Sequence, residues 1–353
     1  MTTTTNAYAF LPDFQDRFPW WGGDLQTLRN QLIPGPAQLG GDTTKVQVAL
    51  SDGSGDRLTA YIDTPPSAPQ GPLILLIHGL TGCSGSTYIR ESARFHLARG
   101  RRVCRLNLRG AGSSRQTCRG YYHAGCTDDL IDAIAGLAAV VPAEGIFVIG
   151  YSLGGNILLN FLSRLGDRHG MVGGATVCAP IEPLQAAHRL MHVRNFIYHQ
   201  FLLHRMKRDV LDPNAGLDVN EAAAVRRSSS VYEFDDVFTA PRNGFDGVED
   251  YYRRTAGAAH AHQVEVPLLM IHALNDPWIP AAPYQRLAES PPRNVELVLV
   301  PSGGHVGFHA ADSNETWHDR RIEQFISSIP SRVIMRTQYH RAKAYTAAPS
   351  KDR

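Results

Sequence analysis

Cysteine is scarce in this chain. There are five in 353 residues, at Cys83, Cys104, Cys118, Cys126 and Cys178, an odd number with no Cys-x-x-Cys pair. That spacing contains neither a disulfide framework nor a zinc module, so free thiols in a reducing cytoplasm are the expectation. Charge is also sparse and balanced: 35 basic and 33 acidic side chains leave a formal net charge of +2. So small a surplus predicts no nucleic acid and no anionic membrane surface as the main partner. The first residues, MTTTTNAYAFLPDF, lack a basic start followed by an apolar core, so they do not read as a signal peptide. No internal repeat is visible. One charge-free run does occur, residues 145–162, but it contains Gly150, Ser152, Gly154, Gly155, Asn156 and Asn160. Such a run is a poor membrane span and a good buried strand–turn–helix. No stable membrane insertion is expected, and a cytoplasmic location is.

What is present is ordinary globular composition, 43% hydrophobic with 32 glycines and 22 prolines, enough for a substantial core. The length fits two average domains or one large α/β enzyme. Lys45–Leu50 and Arg57–Asp63 read as a strand hairpin around Ser51-Asp52-Gly53-Ser54-Gly55. The wholly apolar run Leu73–Ile77 fits a central strand covered on both faces. Thereafter the pattern alternates. Helical stretches fall at Ser86–Arg99, Thr127–Val140 (with Thr127 as N-cap), Leu153–Leu165 and Glu315–Ile326. Strands fall at Arg102–Leu108, Ile146–Ile149, Ala175–Cys178, Pro267–His272 and Val295–Val300. Alternation of this kind means a mostly parallel sheet wrapped by helices. Between Cys178 and Pro267 lie about ninety residues without a clear strand, better read as an inserted helical cap than as a loop.

The chemistry is concentrated after the strands. Gly150-Tyr151-Ser152-Leu153-Gly154 is a G-x-S-x-G between an apolar strand and a helical run. Composition alone predicts about 0.16 chance copies of that pattern in the chain, and the strand-to-helix context strengthens it. Glycines two positions either side make room for a serine on a strained turn. A serine hydroxyl needs a base, and the base an orienting acid. Asp276 follows the strand Pro267–His272, and His305 follows Val295–Val300 in Pro301-Ser302-Gly303-Gly304-His305. The order Ser, Asp, His and the shared strand-end position match a triad. Asp312 and His309 are weaker rivals. An oxyanion hole needs two N–H donors. Leu153, after the serine, and Leu80, in His78-Gly79-Leu80-Thr81-Gly82, are the candidates.

Other signals are weak. Arg109-Gly110-Ala111-Gly112 lacks the third glycine of a dinucleotide fingerprint. His123-x4-Asp128 is a pattern that chance supplies about once in such a chain. His188, His192, His199 and His204 have some helical spacings but read as surface or packing residues rather than metal ligands. Cys83 reads as a simple buried thiol.

Six segments carry a resemblance: Trp21-Gly22-Gly23-Asp24-Leu25-Gln26-Thr27, His78–Gly82, Asn107-Leu108-Arg109-Gly110, Tyr122-His123-Ala124-Gly125, Gly150–Asn156 and Asp250-Tyr251-Tyr252-Arg253. Together with the triad loops they make the chain resemble the YheT-like esterase subfamily of the α/β-hydrolase superfamily, the abhydrolase-domain proteins. The resemblance implies an α/β-hydrolase fold, an α/β architecture with about eight mostly parallel strands flanked by helices and an inserted cap. It implies a charge-relay triad of Ser152, Asp276 and His305, with no cofactor or metal. Two departures, Asp24 where the family commonly has His and Cys126 where it commonly has Glu, bear on substrate preference rather than mechanism. The expected layout is a flexible tail at 1–15, a hydrolase domain at 16–330 with its cap at about 181–262, and a basic extension at 331–353. The expected activity is hydrolysis of carboxylic esters, short- to medium-chain acyl esters first, with a small-molecule acyl ester as partner. Phe196, Tyr198 and Phe201 in the cap point to an apolar acyl group. An acyltransferase or ethyl-ester synthase, a thioesterase, an amidase, and a non-catalytic binding protein on the same scaffold remain open. So does the oligomeric state.

Overall fold

The computed structural model describes residues 14–165 and 170–329; most of the expected N-terminal tail and all of the basic extension lie outside them. In chain order the elements are α1 (Gly22–Leu32), β1 (Asp42–Ala49), β2 (Arg57–Thr64), β3 (Leu73–Ile77), α2 (Thr87–Leu97), β4 (Val103–Asn107), α3 (Thr127–Gly136), β5 (Ile146–Tyr151), α4 (Leu153–Leu165) and β6 (Met171–Val177). The segment after β6 is helical: α5 (Pro183–Met191), α6 (Phe196–Val210), α7 (Val219–Arg227), α8 (Val231–Phe234), α9 (Ala240–Arg242) and α10 (Val248–Arg254). Then come β7 (Leu268–Ala273), α11 (Ala282–Glu289), β8 (Val295–Val300) and a last helix over residues 317–329.

The eight strands form one sheet in the order β1-β2-β4-β3-β5-β6-β7-β8. The hairpin β1–β2 is antiparallel, β2 pairs antiparallel with β4, and every later pairing is parallel. Alternation along each strand divides the core. Leu73, Leu75 and Ile77 of β3 face the side covered by α3, α4 and the helical insertion. Ile74 and Leu76 face the side covered by α2 and the helix at 317–329. Both faces are apolar, which is why the strand reads as an unbroken apolar run. Because the strands from β3 to β8 run parallel, their C-terminal loops gather at one edge. The loops after β3, β5, β7 and β8 carry Leu80, Ser152, Asp276 and His305, at the edge where open α/β sheets place their ligands.

One local expectation fails. Thr127 is the first residue of α3 rather than its N-cap; Cys126 stands in the cap position, and no side chain caps the helix. The Thr127 hydroxyl instead accepts from Arg164 on α4. No helix among the described residues is long and apolar enough to cross a membrane.

Candidate active site

Ser152 sits between β5 and α4 with φ +50°, a left-handed conformation rare for a side-chain-bearing residue. Its N–H donates to Val177 O on the neighbouring strand at 2.8 Å, which fixes the turn to the sheet. The flanking glycines are required by contact. A Cβ at Gly154 would lie 2.5 Å from His78 O, and one at Gly150 would lie 2.4 Å from Gly154 O. Backbone strain of this kind is held only where the surroundings over-determine it.

The hydroxyl of Ser152 donates to His305 Nε2 at 2.9 Å, and His305 Nδ1–H donates to Asp276 Oδ2 at 2.8 Å. The second carboxylate oxygen, Oδ1, accepts the N–H groups of Trp278 (2.8 Å) and Ile279 (3.0 Å). Burial opposes ionisation of Asp276, but its electrostatic interaction with His305 and these hydrogen bonds outweigh it, and the carboxyl is held below its ordinary value. The indole of Trp278 lies over the His305 ring, with centroids 4.4 Å apart.

Beneath this chain, His272 stacks flat on Tyr284 at 4.1 Å, and burial pushes its pKa down to about 4, so it is neutral. Cys178, His272 and Asp276 offer ligand atoms within 4.8 Å of one another, and this is the one metal-sized cluster among the described residues. Both oxygens of Asp276 are already engaged, and burial pushes the Cys178 thiol up. The cluster therefore lacks the free carboxylate and thiolate that a cation would need.

The loop after β3 closes over the serine. A Cβ at Gly79 would lie 2.8 Å from Ser152 Cβ and 3.4 Å from its Oγ. Two tyrosines hold the loop from opposite sides: Gly79 N–H donates to Tyr88 Oη (2.9 Å), and Thr81 N–H donates to Tyr122 Oη (2.6 Å). His78 anchors its start, accepting Leu108 N–H at Nε2 and donating from Nδ1 to Gly79 O. Burial pushes His78 down to about 4, which keeps this tautomer neutral. The N–H groups of Leu80 and Leu153 have no acceptor among the described residues, and both residues line the cavity around Ser152. Unpaired N–H groups beside a nucleophile can receive a developing oxyanion.

Several residues that support the site were not anticipated. Helix α1 lies under the histidine loop: Thr27 Oγ1 accepts His305 N–H (2.7 Å), Asn30 donates to Val306 O (2.8 Å), and the fully buried Gln26 bonds His309 N–H and O. Gly304, at φ +60°, passes so close that a Cβ would lie 2.3 Å from Gly23 O. Asn275 joins the loop by accepting Gly304 N–H. The only sequence signal for α1 was the Trp21–Thr27 segment.

The cavity holds about 420 Å³ and has Ser152 and His305 in its wall. Leu190, Leu202, Met206, Tyr121 and Tyr122 also line it. Asp235 is in the wall too; burial pushes it up to about 6 against hydrogen bonds from Thr239 and Tyr252. Of the three cap aromatics expected to line an acyl site, only Phe201 does. Phe196 is exposed, and Tyr198 donates to Asp24 and packs on Trp278. Asp24 also pairs with Arg194, so it ties α1 to the cap. Neither Asp24 nor Cys126 lines the cavity. Cys83 does line it and is half-buried rather than buried.

The rival residues go elsewhere. His309 contacts Arg29 and Asn30, and Asp312 pairs with Arg320. His199 accepts Val231 N–H, His188 stacks on Tyr232, and His192 accepts Arg194 N–H. His123 accepts Gly125 N–H in the cavity wall, while Asp128 pairs with Arg164 at 3.7 Å.

Comparison with known proteins agrees with this architecture. Residues 72–312 match the alpha/beta hydrolase fold family. Human phospholipase ABHD3 is 29% identical over 322 residues, 88% of this chain and 77% of that protein. Escherichia coli YheT is 27% identical over 277 residues, 76% of this chain and 80% of that protein. A Saccharomyces cerevisiae medium-chain fatty acid ethyl ester synthase/esterase is 28% identical over 291 residues, 74% of this chain and 63% of that protein. Among solved structures, the Pyrococcus furiosus esterase Pf2001 shares the fold, with a TM-score of 0.55 at 16% identity over 84% of this chain and 97% of that one.

Proposed function

The chain belongs to the α/β-hydrolase fold family, among its abhydrolase-domain, esterase-like members, and from that premise we propose that it is a serine hydrolase cleaving carboxylic esters through an acyl-enzyme. The observation that carries this reading is the unbroken hydrogen-bond chain Ser152–His305–Asp276 at the wall of the cavity, beside the unpaired N–H groups of Leu80 and Leu153.

Ser152 Oγ attacks the ester carbonyl carbon while its proton passes to His305 Nε2. The carbonyl oxygen takes the negative charge between the Leu80 and Leu153 N–H groups. Asp276 stabilises the imidazolium formed on His305. Collapse of the tetrahedral intermediate expels the alcohol, which leaves with the proton from His305. Water then attacks the acyl carbonyl carbon, giving its proton to the same nitrogen, and collapse of the second tetrahedral intermediate breaks the bond to Ser152 Oγ, which takes that proton back as the acid leaves.

The helical insertion at about 181–262 acts as the cap over this cavity. A volume of about 420 Å³ lies low in the roughly 300–1,000 Å³ range of small-molecule sites, which favours short- to medium-chain acyl groups. The name of the yeast relative supports a second acceptor, an alcohol capturing the same acyl-enzyme.

The test is hydrolysis of 4-nitrophenyl esters from acetate to palmitate by wild type and Ser152→Ala, with and without added ethanol. The expected result is an optimum below twelve carbons, lost in Ser152→Ala, with ethyl ester appearing if ethanol competes with water. Undiminished hydrolysis by folded Ser152→Ala refutes the mechanism.

A further inference from the structure

Arg205, on α6, enters the wall of the same cavity as Ser152 and His305. Its Nη2 donates to Thr81 O at 2.9 Å, so the guanidinium is moored one residue from the Leu80 N–H. The rest of the group has no partner. Nε is shut away from solvent without an acceptor, and Nη1 makes no hydrogen bond among the described residues. Among the described residues no carboxylate lies within 4.0 Å of it: Asp209, four residues along the helix, feels its charge but pairs with Arg208 at 3.2 Å. The one carboxylate in the cavity wall, Asp235, already accepts from Thr239 (2.6 Å) and Tyr252 (2.7 Å). The ring of Phe201, 5.4 Å from the guanidinium carbon, is the other neighbour, and a ring face does not satisfy N–H donors in the way an anion does.

A half-buried guanidinium with free donors and no carboxylate hydrogen-bonded to it is costly unless its partner arrives with the ligand. With Nε enclosed, the donors left are those of Nη1 and the second N–H of Nη2, a planar pair that suits a carboxylate or a phosphate through two parallel N–H···O bonds. The mooring to Thr81 O holds the fork close to the site of the reacting carbonyl.

We propose that Arg205 forms an anion-binding subsite and that the preferred substrate is an ester carrying a carboxylate or phosphate a few bonds from the scissile carbonyl. This rests on the reading of Ser152 as an ester-cleaving nucleophile. Neutral esters enter the same cavity but leave the guanidinium unpaired.

The experiment compares matched esters. One pair is 4-nitrophenyl hexanoate and mono-4-nitrophenyl adipate, which adds a carboxylate on the acyl side. The other is monohexanoylglycerol and its 3-phosphate, which adds a phosphate on the alcohol side. The readout is the ratio of kcat/KM for the anionic member over the neutral one, in wild type, Arg205→Gln and Arg205→Lys. Loss of the Thr81 mooring lowers both members alike and cancels in this ratio. The expected result is a wild-type ratio above one in at least one pair, which identifies the anion and its side. Arg205→Gln lowers that ratio tenfold or more, chiefly through KM, and Arg205→Lys recovers part of it. Turnover of neutral and anionic esters with a ratio that Arg205→Gln does not change refutes the subsite and leaves the esterase reading standing. Failure of wild type to cleave any of the four refutes both.

Discussion

Replacing Asp276 by Asn tests the triad through a hydrogen-bond constraint specific to this site. The carboxylate Oδ1 accepts two backbone N–H groups, from Trp278 and Ile279, and Oδ2 faces His305 Nδ1. An asparagine has one acceptor oxygen and one NH2 donor. Keeping the two N–H bonds puts its oxygen at the Oδ1 position and its NH2 against Nδ1. That nitrogen must then accept, the imidazole proton moves to Nε2, and the face toward Ser152 is an N–H that cannot take a proton. The opposite amide orientation restores the useful tautomer but sets NH2 against two buried N–H donors. Leaving those donors unpaired costs about 1–3 kcal/mol each, so the working orientation is disfavoured by about 2–6 kcal/mol. At a factor of ten per 1.4 kcal/mol this is a loss of about 10^1.5- to 10^4-fold. Loss of the carboxylate charge opposite the imidazolium adds to it, so the expected fall in kcat is about 10^3- to 10^4-fold. The melting temperature should stay near wild type, because both backbone bonds to the side-chain oxygen survive. The assay is ester hydrolysis at saturating substrate alongside thermal unfolding. A kcat within tenfold of wild type in a folded Asp276→Asn protein would refute the reasoning.

Two more perturbations follow from the geometry. Gly79→Ala places a Cβ 2.8 Å from Ser152 Cβ, so the loop or the serine must shift by several tenths of an ångström; kcat is expected to fall about 10^2-fold, read against Ser152 counts from fluorophosphonate labelling, and unchanged turnover would show that the loop does not cover the nucleophile. Acid should weaken the fold through its buried histidines: fully buried His78 and His272 are held at about 4 and His309 at about 2, chiefly by burial, against 6.5 in the unfolded chain. The unfolded state therefore takes up protons first, and stability is lost as pH falls from about 6.5 toward 4.5. Each net proton costs about 1.4 kcal/mol per pH unit, and the raised pKa of Asp235 offsets at most one of them. Urea midpoints at pH 6.5, 5.5 and 4.5 check this, and a midpoint that rises toward acid would contradict it.

The sheet and the hydrogen-bonded residues Ser152, His305 and Asp276 were legible because each announces itself locally. A buried parallel strand is an apolar run, and each loop beyond it carries its punctuation: glycines around Ser152, Asn275-Asp276-Pro277 after β7, Gly303-Gly304 before His305. What sets these side chains in place was not legible, because it acts between residues far apart in sequence and through groups with no periodicity. Thr27 holds His305 from 278 positions away, and Asn30 holds Val306 from 276. On α1 the inward residues Gln26, Thr27 and Asn30 are polar, the reverse of the apolar stripe that marks a packed helix. The expectation for the cap aromatics Phe196 and Tyr198 failed for a related reason. Phe196 and Tyr198 read as an apolar wall, but the face of α6 turned to the cavity is Phe201, Leu202, Arg205 and Met206, pairs three and four residues apart. Aromatic composition alone does not say which face of a helix turns inward. A single arginine on that face is one of 35 basic residues in the sequence. Its significance follows only from what surrounds it, a cavity that contains Ser152 and His305 and no free carboxylate to neutralise it.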